Sequence, residues 1–237
     1  LGKRAHEERE AWEDRELVAL FQTSCWTGCK SPNYRHLEGP HIYRDSKYWI
    51  PLLLPHQGLR LEEPAQMWLE DVISVEDDYA FIIRKAEERD VKTPSSARVI
   101  PLHPLILKLG FLDYVADLKA KGHKRLFPEL SKDKWHDSYG TRISKWIGRY
   151  RNLIDIGVKN KDLHSFRHSF DTHLGDKDIN IITIQDLMGH ARPRDASESI
   201  RRYRKPAAFE KLRAVIDQVD YGIKLVEGPT GWQISRK

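Results

Sequence analysis

Leu163-His164-Ser165-Phe166-Arg167-His168 sets an imidazole and a guanidinium three positions apart, so on a helix they share a face. Placed at a helix start, they would also meet exposed backbone N–H groups that favour an anion. Leu187-Met188-Gly189-His190 adds a second imidazole, and Tyr203 adds a phenol. These are the parts needed to hold a phosphate diester, neutralise it and attack it with a tyrosine. Two further cations fit the same chemistry. Arg60, in Gly58-Leu59-Arg60-Leu61-Glu62-Glu63, follows a glycine turn at the end of an apolar segment, with Glu63 one turn on to orient it. Lys92, in Lys92-Thr93-Pro94-Ser95-Ser96-Ala97-Arg98-Val99-Ile100-Pro101, falls at the tip of a β-connection that can lay an ammonium into a groove. Each residue alone has a plainer reading: an ordinary Arg–Glu pair, a solvated lysine, a histidine capping a helix C-terminus. For Tyr203, within Arg201-Arg202-Tyr203-Arg204-Lys205, the plainer reading is a basic helix face.

Local periodicity predicts the elements that must carry these groups. Asp14 caps a helix with apolar positions Leu17, Val18, Leu20 and Phe21. Residues 27–46 read as a long loop. Lys47–Gln57 reads as a buried helix with Pro55 near its end, Gly58 as a turn, and Leu61–Leu69 as a second helix. The period then changes: Val72–Val75, Tyr79–Ile83 and Ala97–Pro101 read as short strands, with Asp77-Asp78 at the first turn and Lys85–Ser96 as a longer connection. Pro104 opens a long helix to about Lys121. Further helices are expected near 137–152, 165–175, 180–188, 195–204 and 207–219, the last amphipathic through Phe209, Leu212, Val215, Ile216 and Val219. The expected fold class is α+β, mostly helical, with a small three-stranded antiparallel sheet. Residues 1–13 read as a charged linker or arm, 14–222 as the catalytic domain and 223–237 as a C-terminal tail.

The 237 residues carry a formal charge of +5, with 40% apolar and 32% charged residues. That composition supports a core under a heavily charged surface, and the basic excess fits a polyanion partner. No apolar run reaches the roughly 18 residues of a membrane span, and the first residues lack the apolar region of a secretory signal. The chain opens on Leu1 without an initiator Met, so a longer parent chain with a further domain upstream is expected. Cys25 and Cys29 form a Cys-x-x-x-Cys pair without a second pair at finger-like spacing, so two reduced thiols are expected and no metal site. Two basic groups offer phosphate contacts. Arg142, Lys145, Arg149 and Arg151 are interleaved with Trp146 and Tyr150, and Arg192, Arg194, Arg201, Arg202, Arg204 and Lys205 form the second group. Solvated helix faces are the plainer alternative for both.

In order, Gly-x-Arg-x-x-Glu, Lys-Thr before Arg-x-Ile-Pro-Leu, His-Ser-Phe-Arg-His, Leu-Met-Gly-His and then Tyr resemble the tyrosine site-specific recombinases, phage-type and bacterial integrases above all. The resemblance covers residues 14–221. It implies a catalytic set of Arg60, Lys92, His164, Arg167, His190 and Tyr203, acting without metal or cofactor. The implied chemistry is cleavage and rejoining of double-stranded DNA through a 3′-phosphotyrosyl bond. It also implies an upstream core-binding domain, self-association on DNA as a tetrameric synapse, and a cytoplasmic place, in the bacterial nucleoid or phage-encoded. One departure stands out: the family's tyrosine commonly follows the last histidine by about nine positions, where this chain has Ser199, and Tyr203 comes thirteen after His190. Type IB topoisomerase-like relaxation and a catalytically inactive DNA-binding module of the same fold are the alternatives.

Overall fold

The computed structural model describes residues 10–87, 96–157, 160–190, 209–229 and 231–236. Helices α1 (Asp14–Phe21) and α2 (Ser24–Thr27) lead into a loop folded by backbone bridges from Cys29 to Glu38 and His41. Helix α3 (Ser46–Gln57) then runs through the middle of the domain. It is apolar on all sides, and nearly every residue of it is buried, which a helix can be only when neighbours cover its whole circumference. Pro51 and Pro55 lie inside it, and Gly58 ends it at φ +60. A Cβ at Gly58 would come 2.7 Å from the Phe170 ring, so this turn also lets α3 and α8 (Leu163–Gly175) pack closely.

The expected helix over 61–69 is only one turn, α4 (Glu62–Ala65), followed by a 3-10 turn at Leu69–Asp71. Tertiary pairing overrides local propensity here. Leu126 N–H donates to the Met67 carbonyl and Leu69 N–H to the Lys124 carbonyl, which pulls the chain out of helix. Strands β1 (Val72–Val75), β2 (Asp78–Ile83) and β3 (Arg98–Pro101) form one antiparallel sheet in that order, with Val72 opposite Phe81 and Phe81 opposite Ile100. The first turn sits one residue earlier than expected, with Glu76 at φ +53 and Asp78 already in β2. The long helix expected after Pro104 is two helices, α5 (Pro104–Lys108) and α6 (Phe111–Ala120), because Gly110 takes φ +83 between them. Glycine enters that left-handed conformation without a Cβ clash.

Helices α7 (Thr141–Leu153), α8 and α9 (Ile181–Met188) complete the helical layer. Helix α10 (Phe209–Ile216) lies on β3 and α9, burying Leu212, Val215 and Ile216. Arg213 on it donates to the Leu102 carbonyl at 2.9 Å and pairs with Asp78 at 2.6 Å. The helix expected near 195–204 lies outside the described residues.

Both chain ends contribute more than their composition predicts. Trp12, inside the segment read as a solvated arm, is buried. Its backbone N–H donates to Ser169 Oγ at 2.8 Å and its ring lies 5.0 Å from that of Phe166. In the segment read as a tail, β4 (Leu225–Gly228) and β5 (Gly231–Ile234) form a hairpin that packs back on α2. Ile234 is buried, and Arg236 donates to the Gly28 carbonyl, to Thr27 and to Glu38. No described helix is long and apolar enough to cross a membrane.

Candidate active site

The site is organised by the C-terminal end of α9. A helix leaves its last carbonyls without intrahelical partners, and that end carries partial negative charge. Here three consecutive carbonyls each receive a guanidinium. Arg98 Nε donates to the Leu187 oxygen at 2.6 Å, Arg167 Nη2 to Met188 at 2.5 Å, and Arg60 Nη2 to Gly189 at 2.9 Å. Gly189 takes φ +62 as the helix cap, which ends α9 and turns His190 outward.

Each arginine reaches this point from a different element. Arg60 stands just past the Gly58 turn. Glu63 fixes it twice, accepting from its backbone N–H at 2.8 Å and from Nη1 at 3.0 Å, and Ser96 Oγ lies 3.2 Å from Nη1. Arg167 rises from α8 and also donates to the Gly58 carbonyl, so one guanidinium ties the ends of α3 and α9 together. Arg98 opens β3 and grips both Glu63 oxygens at 2.8 and 2.9 Å. Arg60 is 20% exposed and so open to an incoming anion, whereas Arg98 and Glu63 are each 6% exposed.

Burial sets the electrostatics. Desolvation, followed by the neighbouring Arg60 charge, lowers the Arg167 pKa to about 9, so it remains a cation at neutral pH. Burial alone would raise the Glu63 pKa. Arg98 and the Arg60 backbone N–H outweigh it, the net shift is downward, and the carboxylate stays ionised. His190 stands at the exposed rim. Desolvation of its protein-facing side and the Arg167 charge lower its pKa, which favours the neutral ring.

His164 lies one turn before Arg167 on α8, half-buried, its ring 5.3 Å from that of His168. The expected open N–H groups at this helix start are engaged. Asp162 caps α8 and accepts from His164 N–H at 2.8 Å and Ser165 N–H at 3.1 Å. The structure therefore gathers Arg60, Arg167 and His190 at one helix end, with His164 on the helix that delivers Arg167. Lys92 and Tyr203 lie outside the described residues, as do Arg192, Arg194, Arg201, Arg202, Arg204 and Lys205. Tyr221, the other tyrosine downstream of His190, is a core residue. Its hydroxyl donates to the Pro55 carbonyl at 2.9 Å, and burial pushes its pKa well up.

On α7, Arg142, Lys145 and Arg149 are set at spacings that share one side of the helix, and that side faces outward. Arg151 faces inward instead, donating to the Lys161 carbonyl with its guanidinium 5.0 Å from the Trp12 ring. Tyr150 is also buried, its hydroxyl 2.8 Å from that of Thr23. Cys25 and Cys29 are buried free thiols away from this site, and burial pushes Cys25 up to about 12. In the sequence Arg98 stands out only as a member of the Arg-x-Ile-Pro-Leu motif and as the one charge in a strand otherwise Val-Ile-Pro.

A mostly helical α+β domain with a small three-stranded antiparallel sheet is a fold this chain shares with solved tyrosine recombinase structures. The XerH site-specific recombinase matches it with a TM-score of 0.53 at 18% identity, over 79% of this chain and 48% of that one. Residues 37–208 match the phage integrase family, and the chain belongs to that family. Tyrosine recombinase XerD of Staphylococcus saprophyticus is 24% identical over 180 residues, 76% of this chain and 53% of that protein. A tyrosine recombinase of Pseudothermotoga lettingae is 31% identical over 145 residues, 61% of this chain and 45% of that protein. The chain thus spans about half the length of these relatives.

Proposed function

We propose that this chain is the catalytic part of an integrase-type recombinase that cuts and rejoins duplex DNA through a 3′-phosphotyrosyl intermediate. The observation that carries the reading is the meeting of Arg60 and Arg167 on adjacent carbonyls at the end of α9, with His190 as the next residue. In support, the XerH structure is a post-cleavage complex with its palindromic difH substrate. Under this reading Tyr203 Oη attacks the scissile phosphorus and the 5′-oxygen leaves. Arg60 and Arg167 hold the non-bridging oxygens, where guanidinium forks give charge-assisted bonds. His164 accepts the phenol proton, which a group of reference pKa about 10 does not surrender unaided at neutral pH. Lys92 protonates the departing 5′-oxygen, and the neutral ring of His190 donates to a non-bridging oxygen. The covalent bond conserves the phosphodiester energy, so the reverse attack by a 5′-hydroxyl rejoins strands without ATP.

Arg142, Lys145 and Arg149 would contact DNA phosphates. Exchange of two duplexes breaks four strands, so four protomers, each with one tyrosine, would assemble on DNA in the cytoplasm. The test incubates the protein with a randomised pool of nicked duplexes, in which the short fragment released with a free 5′-hydroxyl diffuses away after cleavage. Wild type should yield DNA-linked protein that survives denaturant, and Tyr203→Phe should yield none. Equal trapping by both would move the nucleophile elsewhere; DNA binding without trapping would favour the inactive module, for which the thirteen-residue His190–Tyr203 spacing speaks.

A further inference from the structure

Arg98 is heavily engaged within the site, yet it is too buried to meet a substrate. Its guanidinium donates to both oxygens of Glu63 and to the Ser96 and Leu187 carbonyls, and it packs closely under Gly189. Three guanidiniums and one carboxylate leave this cluster a formal charge of +2. The geometry shows how that charge is divided. Glu63 gives Arg98 a two-oxygen fork and gives the Arg60 guanidinium a single bond. Removing Arg98 would leave Arg60 as the nearest hydrogen-bonded cation for a carboxylate that is almost wholly out of water. A buried carboxylate without its partner takes the next cation within reach.

We propose that Arg98 is a positioning residue that occupies Glu63, so that Arg60 keeps its charge for an anion, and that holds the end of α9 where Arg60 meets it. This deepens the recombinase reading and rests on it for the identity of the anion as a DNA phosphate. The role makes a prediction that simple structural support does not: the effect of losing the Glu63 charge should change sign. In the presence of Arg98, Glu63→Gln strands a buried guanidinium and should weaken the site. In an Arg98→Met background, the same change removes the carboxylate that competes for Arg60, and should strengthen it.

The experiment compares wild type, Arg98→Met, Glu63→Gln, the double variant and Arg98→Lys. Two quantities are read: stabilisation against thermal unfolding by inorganic phosphate at constant ionic strength, and single-turnover trapping on nicked duplex. Arg98→Met should bind phosphate on the order of tenfold more weakly, the double variant should recover part of that loss, and Arg98→Lys should fall between. Failure of wild type to trap DNA, with the phosphate pattern intact, counts against the recombinase reading alone. Glu63→Gln weakening phosphate binding equally in both backgrounds, or no phosphate response in wild type, overturns the role of Arg98.

Discussion

Arg167 shows why residue type matters more than charge at this site. Its guanidinium spans two helix ends, donating to Gly58 and Met188 carbonyls from different nitrogens of one plane. A lysine ammonium is a compact point charge on a flexible stem and cannot reproduce that span. Arg167→Lys should therefore reduce trapping on nicked DNA by on the order of a hundredfold, the scale of losing one preorganised donor. It should also lower stability in a denaturant titration, by about 1–3 kcal/mol for a buried carbonyl left without its donor. Normal trapping by this variant would show that the fork is dispensable.

At the scale of elements, the turn after α9 and the outer face of α7 make separable predictions. Gly189 sits at φ +62, and a Cβ there would come 2.8 Å from Arg98 Nη1. Gly189→Ala should cost about 1–2 kcal/mol from the left-handed backbone alone, and more from displacing Arg98, as measured by chemical unfolding. Because the strain falls on the carbonyls that gather the arginines, trapping should fall further than stability does. Helix α7 tests a different property. Arg142, Lys145 and Arg149 share an outward side, so replacing all three with Gln should reduce the slope of log affinity against log salt by about 0.9 for each DNA phosphate they neutralise. Arg151→Gln should leave that slope unchanged and lower stability instead, because its guanidinium is turned toward Trp12 and Lys161. A fall in slope with Arg151→Gln equal to that of its neighbours would contradict the inward placement.

For the whole molecule, the C-terminal part of the chain is locked to the core through buried imidazoles. His103 accepts from Leu105 N–H at its Nδ1 and donates from Nε2 to the Val219 carbonyl at 2.6 Å, which fixes the neutral tautomer. The ring of His56 lies 4.9 Å from that of His103, and Tyr221 packs on both His56 and His173. Burial lowers His103 to about 4 and His56 well below its ordinary value. The unfolded chain binds these protons near pH 6.5 and the folded chain resists them. The stability they confer is therefore complete above pH 6.5 and is lost as pH falls toward 4, by roughly 3 kcal/mol for His103. The melting temperature should therefore drop steeply across that range, and His103→Gln should flatten the dependence while lowering stability at pH 7. An unchanged pH profile in that variant would place the acid sensitivity in other groups.

The amino-acid sequence by itself determined what depends on neighbours within a turn or two. The strands follow from alternation in Val72–Val75 and around Phe81. The α3 helix, the Gly58 turn and the helix carrying His164 and Arg167 follow from short-range pattern. Tertiary structure decided what depends on residues far apart. Arg60 and Gly189 are 129 positions apart, Arg98 and Leu187 are 89, and Arg167 and Gly58 are 109. Their meeting requires α3, α8, β3 and α9 to pack together. The same physics broke the helix expected at 61–69, turned Arg151 inward, buried Trp12 and folded the terminal residues into a hairpin. Local propensities are worth fractions of a kcal/mol per residue, and burial or a satisfied carbonyl at a distant contact outweighs them.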